Sequence, residues 1–325
     1  MSINIKPLIV IFLLLTLSIN SINANTVNRE IKESIKAKIV PETTEQFNTT
    51  FQSGKYKLYA EVYYPVDDTK IYPCIVFCEG FPAYVSAYNW IPKSLAEEGY
   101  VVIIYDPPGL GKSEGDLPFF FNISFPLLNL YYRFGVSFSK WPHYLRQDYT
   151  NAASNALTYM LENSSVKNII DDSKIGIMGH SFGGAVATEV VVKDDRFDTI
   201  IALSHGNTFV SNKVNKSILF ICGGMDIGYL SISNTLASYE RANPSKELIF
   251  IQLGTHLGFT TVFRKFCPCP PWQKDIIKSY SIGWFDYHLK NQISGYEIIT
   301  NGTDHLSKFY ESKYDFGDGE HIISV

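Results

Sequence analysis

Short apolar runs that alternate with helix-like segments constrain the fold of this chain most strongly. The runs contain few charged residues, which is typical of strands buried on both faces of a parallel sheet. Between them lie segments with helical periodicity, such as Ala153, Ala156, Leu157 and Met160 on one face. This alternation predicts an α/β fold with a mainly parallel, eight-stranded sheet and helices on both faces. The predicted strands are residues 47–51, 55–64, 74–78, 100–105, 174–178, 199–203, 217–222 and 247–253.

The composition excludes several classes of protein. The chain has 325 residues, with 28 Lys and Arg against 32 Asp and Glu, so it lacks the basic excess of a nucleic-acid-binding protein. Hydrophobic residues make up 46% of it, and the mean hydropathy is −0.01, which excludes a disordered chain and a multi-span membrane protein. We expect no nucleic-acid partner and no stable membrane span. The sequence does not determine the oligomeric state.

The N-terminus has the pattern of a secretory signal peptide. A single Lys6 precedes a largely apolar run over residues 7–17, and small and polar residues follow up to Ala24. The run is shorter than the roughly 20 apolar residues of a membrane-spanning helix, although an uncleaved signal anchor is the alternative. We therefore expect residues 1–24 to be a signal peptide and the protein to be secreted or lumenal. Five N-glycosylation sequons give mild support: Asn48, Asn122, Asn163, Asn215 and Asn301.

The remaining chain is predicted to contain one large domain. We assign residues 25–44 to an N-terminal lead, residues 45–292 to the domain and residues 293–325 to a C-terminal extension. Within the domain, residues 117–147 are rich in Phe and Tyr and form a long connection for a compact fold. We interpret this segment as a cap-like insertion that lines an apolar acyl pocket. Ordinary helices packed on the domain edge are the alternative.

The cysteines do not predict a metal site or a fully paired disulfide framework. Their number is five, which is odd. Cys74 and Cys78 lie on one predicted strand, too far apart to bridge each other. Cys267 and Cys269 are disulfide candidates or plain thiols, because a metal would need two further ligands nearby. We predict no metal and no organic cofactor.

The main chemical motif is the sequence GHSFG at residues 179–183, which matches G-x-S-x-G. An apolar strand precedes it and a helix-like segment follows it. A serine on a tight strand-to-helix turn needs glycine on both sides, here Gly179 and Gly183, because the backbone is crowded there. This context predicts that Ser181 is a nucleophile. A glycine-rich turn chosen only for packing is the alternative.

A serine nucleophile needs a base, and the base needs an orienting acid. Asp226 follows one predicted strand and His256 follows the last, and the ends of parallel strands meet at one edge of the sheet. The order Ser, Asp, His along the chain fits this fold class. We therefore predict Ser181 as nucleophile, His256 as general base and Asp226 as the orienting carboxylate. His205 also follows a strand and is predicted to line the pocket without acting as the base.

Residues 45–290 resemble the α/β-hydrolase superfamily, and most of all its dienelactone-hydrolase and cutinase-type polyester hydrolase branch. The resemblance implies the α/β-hydrolase fold and the same three catalytic roles. It also implies an oxyanion hole formed by the backbone N–H groups of Phe81 and Phe182. The segments that carry the resemblance are residues 80–82, 90–105, 179–184, 223–226, 254–259 and 279–285.

Glu79 departs from the family pattern, which usually has His or Pro before the oxyanion glycine. An ionised carboxylate beside a developing oxyanion would oppose catalysis. Glu79 must therefore point away, be neutralised or interact with the resting nucleophile, and we count it as a possible pocket residue. A solvated loop carboxylate is the alternative.

A second departure, Pro108 in place of a frequent Arg, lies in a segment that ends in GKS. This is no nucleotide-binding loop, because Asp106 stands where a P-loop has its first glycine.

Together these observations predict a secreted serine hydrolase that cleaves carboxylic esters through an acyl-enzyme intermediate. Its partner would be a small-molecule or lipid-like ester. A thioesterase or peptidase with the same three residues is an alternative, and a non-catalytic binding member of the fold is another. Ser181 argues against epoxide hydrolases and haloalkane dehalogenases, which use an Asp at this position. The sequence does not determine the substrate or its acyl chain length.

Overall fold

A single sheet organises the computed structural model, which describes residues 41–115, 143–226, 229–243, 245–261, 269–300 and 306–312. Within these residues the sheet has nine strands in the order β1-β2-β4-β3-β5-β6-β7-β8-β9. The strands are β1 (Thr44–Ser53), β2 (Tyr56–Pro65), β3 (Tyr72–Cys78), β4 (Val101–Tyr105), β5 (Ile170–His180), β6 (Thr199–Leu203), β7 (Ser217–Gly223), β8 (Lys246–Ile251) and β9 (Leu306–Ser312).

The middle of the sheet is parallel, and its edges are antiparallel. Strands β4, β3, β5, β6, β7 and β8 pair in parallel, whereas β1 and β2 at one edge and β9 at the other pair antiparallel. Every residue of β3, β4 and β6 is buried. Burial on both faces explains why these strands read as continuous apolar runs and not as alternating ones.

Helices cover both faces of this sheet. On one face, α2 and α3 pack against the side of β3 that carries Cys74, Val76 and Cys78. On the other face, α1 and α5 pack against Ile75 and Phe77 of the same strand. The helices are α1 (Trp90–Glu97), α2 (His143–Glu162), α3 (Phe182–Val190), α4 (Tyr229–Arg241), α5 (Trp272–Lys290) and α6 (Ile293–Thr300).

The predicted fold class is confirmed, and the sheet is larger than expected by one strand. All eight predicted strands are present, with shifted ends. The prediction missed β9 because its sequence, LSKFYES, mixes apolar, charged and hydroxyl residues and contains no long apolar run. Strand β9 falls within residues 293–325, which the sequence analysis assigned to an extension, and it pairs with β8. The domain boundaries themselves stay predictions.

Several sequence-based expectations fall wholly or mainly outside the described residues. They concern the signal peptide over residues 1–24 and the cap-like insertion, of which only residues 143–147 are described, as the start of α2. Across the described ranges, no helix is both long and apolar enough to cross a bilayer, and no cluster of His, Cys, Asp and Glu could hold a metal ion. Cys74, Cys78, Cys222 and Cys269 are free thiols.

Candidate active site

Ser181 lies on a sharp turn between the end of β5 and the start of α3. Its φ is +53° and its ψ is −118°, a conformation that residues other than glycine rarely adopt. The Ser181 N–H donates to the Leu203 carbonyl of the neighbouring strand β6 at 2.7 Å. The turn is therefore fastened to the sheet, and the side chain projects at the carboxyl edge where the strands end. Strain of this kind is typical of functional positions.

The glycines around Ser181 are required by close backbone contacts. A Cβ on Gly179 would collide with the carbonyl group of Gly183. A Cβ on Gly183 would in turn collide with the carbonyl oxygens of Cys78 and Glu79 at the end of β3. The turn therefore packs directly against the loop that follows β3, which explains why both positions hold glycine.

The structure brings Ser181, His256 and Asp226 together in a line. The Ser181 Oγ lies 2.9 Å from Nε2 of His256, and Nδ1 of His256 lies 2.8 Å from Oδ1 of Asp226. Because a carboxylate only accepts, Nδ1 carries the proton and Nε2 is left to accept the Ser181 hydroxyl proton. His256 opens a short 3-10 helix after β8, and Asp226 follows β7. The three residues thus follow β5, β7 and β8, three strands of the parallel part of the sheet, in the predicted order along the chain.

The environment of His256 favours its protonated form despite burial. Burial lowers the pKa of His256, but the charge and hydrogen bond of Asp226 outweigh it, so the pKa is raised above its ordinary value. The Asp226 side chain is fully buried, and Ser181 is 8% exposed. A buried carboxylate in this position stabilises an imidazolium that forms transiently.

Phe81 and Phe182 lie side by side next to Ser181. Their ring centroids are 6.1 Å apart. Phe182 is the first residue of α3, where backbone N–H groups point out of the helix end. Phe81 follows Gly80 in the loop after β3, the same loop that packs against Gly183. The two residues named from the family resemblance therefore belong to two segments that meet beside the serine.

Glu79 is buried and is not a solvated loop carboxylate. Its exposure is 1%, and neither of its carboxylate oxygens has a hydrogen-bond partner among the described residues. Burial raises its pKa well above the ordinary value, and the neighbouring carboxylates Asp106 and Glu61 raise it further. Both effects favour the neutral carboxylic acid, the form that places no negative charge beside the oxyanion.

His205 is partly buried at the end of β6. Its Nε2 lies 3.2 Å from Nδ2 of Asn234 on α4. Burial lowers the pKa of His205 to about 4, and the nearby His256 lowers it too. His205 is therefore neutral near pH 7. Its role in the pocket stays a prediction.

Two buried residues near Ser181 were not singled out from the sequence. His180 is part of the GHSFG motif, but the motif fixes only the glycines and the serine. Tyr88 lies 92 residues earlier in the chain, in no recognisable motif, and its Oη is 2.7 Å from Nδ1 of His180. Only the fold brings the two side chains together.

The mainly parallel sheet and the line of Ser181, His256 and Asp226 are typical of the α/β-hydrolase fold, and a family model agrees. The α/β-hydrolase fold family matches residues 73–257, more than half of the chain. The chain belongs to this family, as the sequence resemblance indicated.

The proteins to which this chain is similar include esterase-type hydrolases and a peptidase. Platelet-activating factor acetylhydrolase of Cavia porcellus is 27% identical over 232 residues, covering 63% of this chain and 52% of its own length. Bis(hydroxyethyl) terephthalate hydrolase of Streptomyces coelicolor is 24% identical over 225 residues, covering 69% and 59%. Dipeptidyl-peptidase 5 of Porphyromonas endodontalis is 27% identical over 139 residues, covering 39% and 16%. The chain thus spans little more than half the length of the first two.

Proposed function

We propose that this protein is a serine hydrolase that cleaves carboxylic esters. The observation that carries the proposal is the line of close contacts from the Ser181 hydroxyl, 2.9 Å from His256, to the buried Asp226 carboxylate, 2.8 Å from the other nitrogen of the same ring. A serine hydroxyl is a weak nucleophile unless a base removes its proton as it attacks. The strained turn at Ser181 and the glycines beside it support the same role, since they present the hydroxyl at the sheet edge.

The reaction follows from this geometry in two halves. The Ser181 Oγ attacks the ester carbonyl carbon while its proton passes to Nε2 of His256, and Asp226 stabilises the imidazolium. The tetrahedral intermediate collapses, the bond to the alcohol oxygen breaks, and His256 gives its proton to that oxygen. Water then attacks the acyl-enzyme by the same route, and the acid is released while Ser181 regains its proton.

The oxyanion of both intermediates would be held by the backbone N–H groups of Phe81 and Phe182. Removal of one such donor in a serine hydrolase typically costs about 10²–10³ in kcat. The raised pKa of Glu79 supports this assignment, because burial favours its carboxylic acid form, which does not repel the oxyanion as a carboxylate would.

The substrate is proposed to have an apolar or aromatic acyl group. Phe182, which directly follows Ser181, packs edge-on to Phe81 and Tyr149, with ring centroids 6.1 Å and 5.0 Å apart. The names of two relatives, an acetylhydrolase and a terephthalate hydrolase, support small-molecule or lipid-like esters. The aromatic segment 117–147 is proposed to complete this pocket as a cap.

A substrate panel tests the proposal and separates it from its alternatives. We expect p-nitrophenyl esters to be hydrolysed with an initial burst equal to the enzyme concentration, and matched thioesters and anilides to react more slowly. The Ser181→Ala variant should lose the burst. Faster cleavage of dipeptidyl anilides than of esters would favour the peptidase alternative, for which the similarity to dipeptidyl-peptidase 5 speaks. A folded protein that cleaves no member of the panel would favour a non-catalytic binding role.

We further propose that the protein enters the secretory pathway and carries N-linked glycans. The apolar run over residues 7–17 supports entry. Asn48, Asn163 and Asn215, the sequons that lie in the described residues, all have exposed asparagines. An acceptor asparagine must be accessible on the surface, and these three satisfy that requirement.

A further inference from the structure

A buried tyrosine and histidine join the two backbone segments that would form the oxyanion hole. The Tyr88 Oη lies 2.7 Å from Nδ1 of His180, and the Gly80 N–H donates to the same hydroxyl at 3.2 Å. Gly80 directly precedes Phe81, and His180 directly precedes Ser181. One hydroxyl therefore connects the loop after β3 to the turn that carries the nucleophile.

The direction of these hydrogen bonds follows from what each group can donate. The Gly80 N–H only donates, so the Tyr88 oxygen accepts from it. The contact with Nδ1 of His180 follows the tautomer: Nδ1 accepts from the hydroxyl when the ring proton is on Nε2, and donates to it when the proton is on Nδ1. Burial lowers the pKa of His180 well below the ordinary value, and the nearby His256 lowers it further, so the ring is neutral.

The same imidazole packs against the proposed general base. The ring centroid of His180 lies 4.7 Å from that of His256 and 4.8 Å from that of Phe259, with the latter pair stacked at 24°. Tyr88 and His180 are 1% and 2% exposed. A Cβ on Gly80 would lie 2.6 Å from Tyr88 Oη and 3.0 Å from His180 Nδ1, so there is no room for the loop to move closer.

We infer that Tyr88 and His180 are positioning residues that hold the oxyanion loop, defined as residues 79–82, and the His256 ring in register with Ser181. The inference rests on the proposed function. Neither residue would touch the substrate. Both would act by fixing where the Phe81 N–H lies relative to the attacking oxygen, and a misplacement of about 1 Å in such a site costs on the order of 10²-fold in rate.

Tyr88→Phe tests this inference when compared with Tyr100→Phe. Tyr100 is also a fully buried tyrosine, and its Oη donates to Oδ1 of Asp286 at 2.6 Å, away from the sheet edge that carries Ser181. Both variants lose one buried hydroxyl and should unfold at a lower temperature. We divide kcat by the number of active sites titrated with a phosphonate. This kcat per site should be about 10–100-fold lower in Tyr88→Phe than in the wild type, while KM stays within about threefold. Tyr100→Phe should keep the wild-type kcat per site.

A second pair of variants tests His180 and keeps the inference testable if Tyr88→Phe does not fold. Asn can place its Oδ1 close to where His180 has Nδ1, so His180→Asn retains an acceptor for the Tyr88 hydroxyl. His180→Leu fills similar space without one. We expect the kcat per titrated site of His180→Asn to exceed that of His180→Leu by about tenfold or more.

The outcomes separate the inference from the function on which it rests. Wild-type protein that neither hydrolyses esters nor reacts with the phosphonate would overturn the proposed function. If the wild type is active, either of two results would overturn the positioning role alone. One is that Tyr88→Phe keeps the kcat per site of Tyr100→Phe, and the other is that His180→Asn and His180→Leu are equally active. Those last results would mean that the pair only stabilises the fold.

Discussion

At the scale of single residues, the site contains ionisable side chains with contrasting environments. The Asp226 carboxylate raises the pKa of His256, whereas burial lowers that of His180 and raises that of Glu79. These environments favour the neutral forms of His180 and Glu79 and the protonated form of His256. A site in which only the base changes protonation during turnover is suited to acyl transfer.

Asp226→Asn should shift the pH dependence of catalysis and slow it. His256 must be neutral to act as the base, so kcat/KM of the wild type should fall on the acid side of a pKa above the ordinary value of about 6.5. Without the carboxylate this pKa drops, and the acid limb of the profile should move to lower pH. We also expect kcat to fall by about 10⁴, as for the equivalent change in another triad enzyme. An acid limb that stays in place would show that Asp226 does not act on His256.

Glu79→Gln should change how stability depends on pH. The folded-state pKa of Glu79 is raised above the unfolded value, so its contribution to stability is complete below about pH 4.5 and is lost as pH rises through the folded pKa. Within that window the wild type loses up to about 1.4 kcal/mol per pH unit, because the unfolded chain ionises and the folded one does not. The melting temperature of Glu79→Gln relative to wild type should therefore be higher at pH 8 than at pH 5. An equal difference at both pH values would mean that Glu79 is ionised in the folded protein.

At the scale of secondary-structure elements, hydrogen bonds inside the apolar core fix how α5 lies on the sheet. The Trp284 Nε1–H donates to Oγ1 of Thr199 on β6 at 2.7 Å, and this hydroxyl donates to the Ser217 carbonyl on β7 at 3.0 Å. All of the Trp284 ring is buried. An indole N–H without an acceptor here would be costly, so helix and strand depend on each other.

A double-mutant cycle of Thr199→Val and Trp284→Phe measures that dependence. Thr199→Val leaves the indole N–H unsatisfied and should lower the free energy of unfolding by about 1–3 kcal/mol. Trp284→Phe removes the donor and leaves a void, so its own cost should be about 2–4 kcal/mol. The double variant should lose less than the sum, by about 0.5 kcal/mol or more, in urea unfolding. Strictly additive losses would contradict a direct interaction between these two side chains.

The elements that could be predicted from sequence are those with a strong local pattern. Strands β3, β4, β6, β7 and β8 are apolar runs bounded by turn residues, and they were found close to the predicted places. The start of β5 was missed because residues 170–173 are partly polar, and β9 because its sequence is mixed. Ser181, Asp226 and His256 could be named because each follows a predicted strand. Two features could not be predicted: the pairing of Tyr88 with His180, which is distant in the chain, and the burial of Glu79. Both depend on how the loop after β3 folds back.

At the scale of the whole molecule, the proposed chemistry lies at the carboxyl edge of the sheet, while the three sequons within the described residues lie elsewhere on the surface. Asn48 is on β1, the outermost strand at one edge of the sheet, and Asn163 follows the end of α2. A glycan at Asn48 would hinder edge-to-edge association of the exposed strand. Ester hydrolysis would not depend on these positions.

Expression through a eukaryotic secretory pathway tests the proposed glycosylation. We expect export into the medium with a mass that falls on treatment with an N-glycanase. Three single variants should each lose the mass of one glycan and keep their esterase activity: Asn48→Gln, Asn163→Gln and Asn215→Gln. A protein that stays in the cells, or is exported with the mass of the bare chain, would contradict the corresponding part of the proposal.

The central claim is that Ser181 is an activated nucleophile, and covalent labelling by a fluorophosphonate tests it most directly. Ser204 provides a matched control, because it is also a buried serine with positive φ after a strand, but its hydroxyl lies beside the Cys222 thiol. We predict one label per protein, mapped by mass spectrometry to the peptide containing Ser181, lost in Ser181→Ala and kept in Ser204→Ala. Folded wild-type protein that takes up no label, or a Ser181→Ala variant labelled as fast as the wild type, would contradict the account.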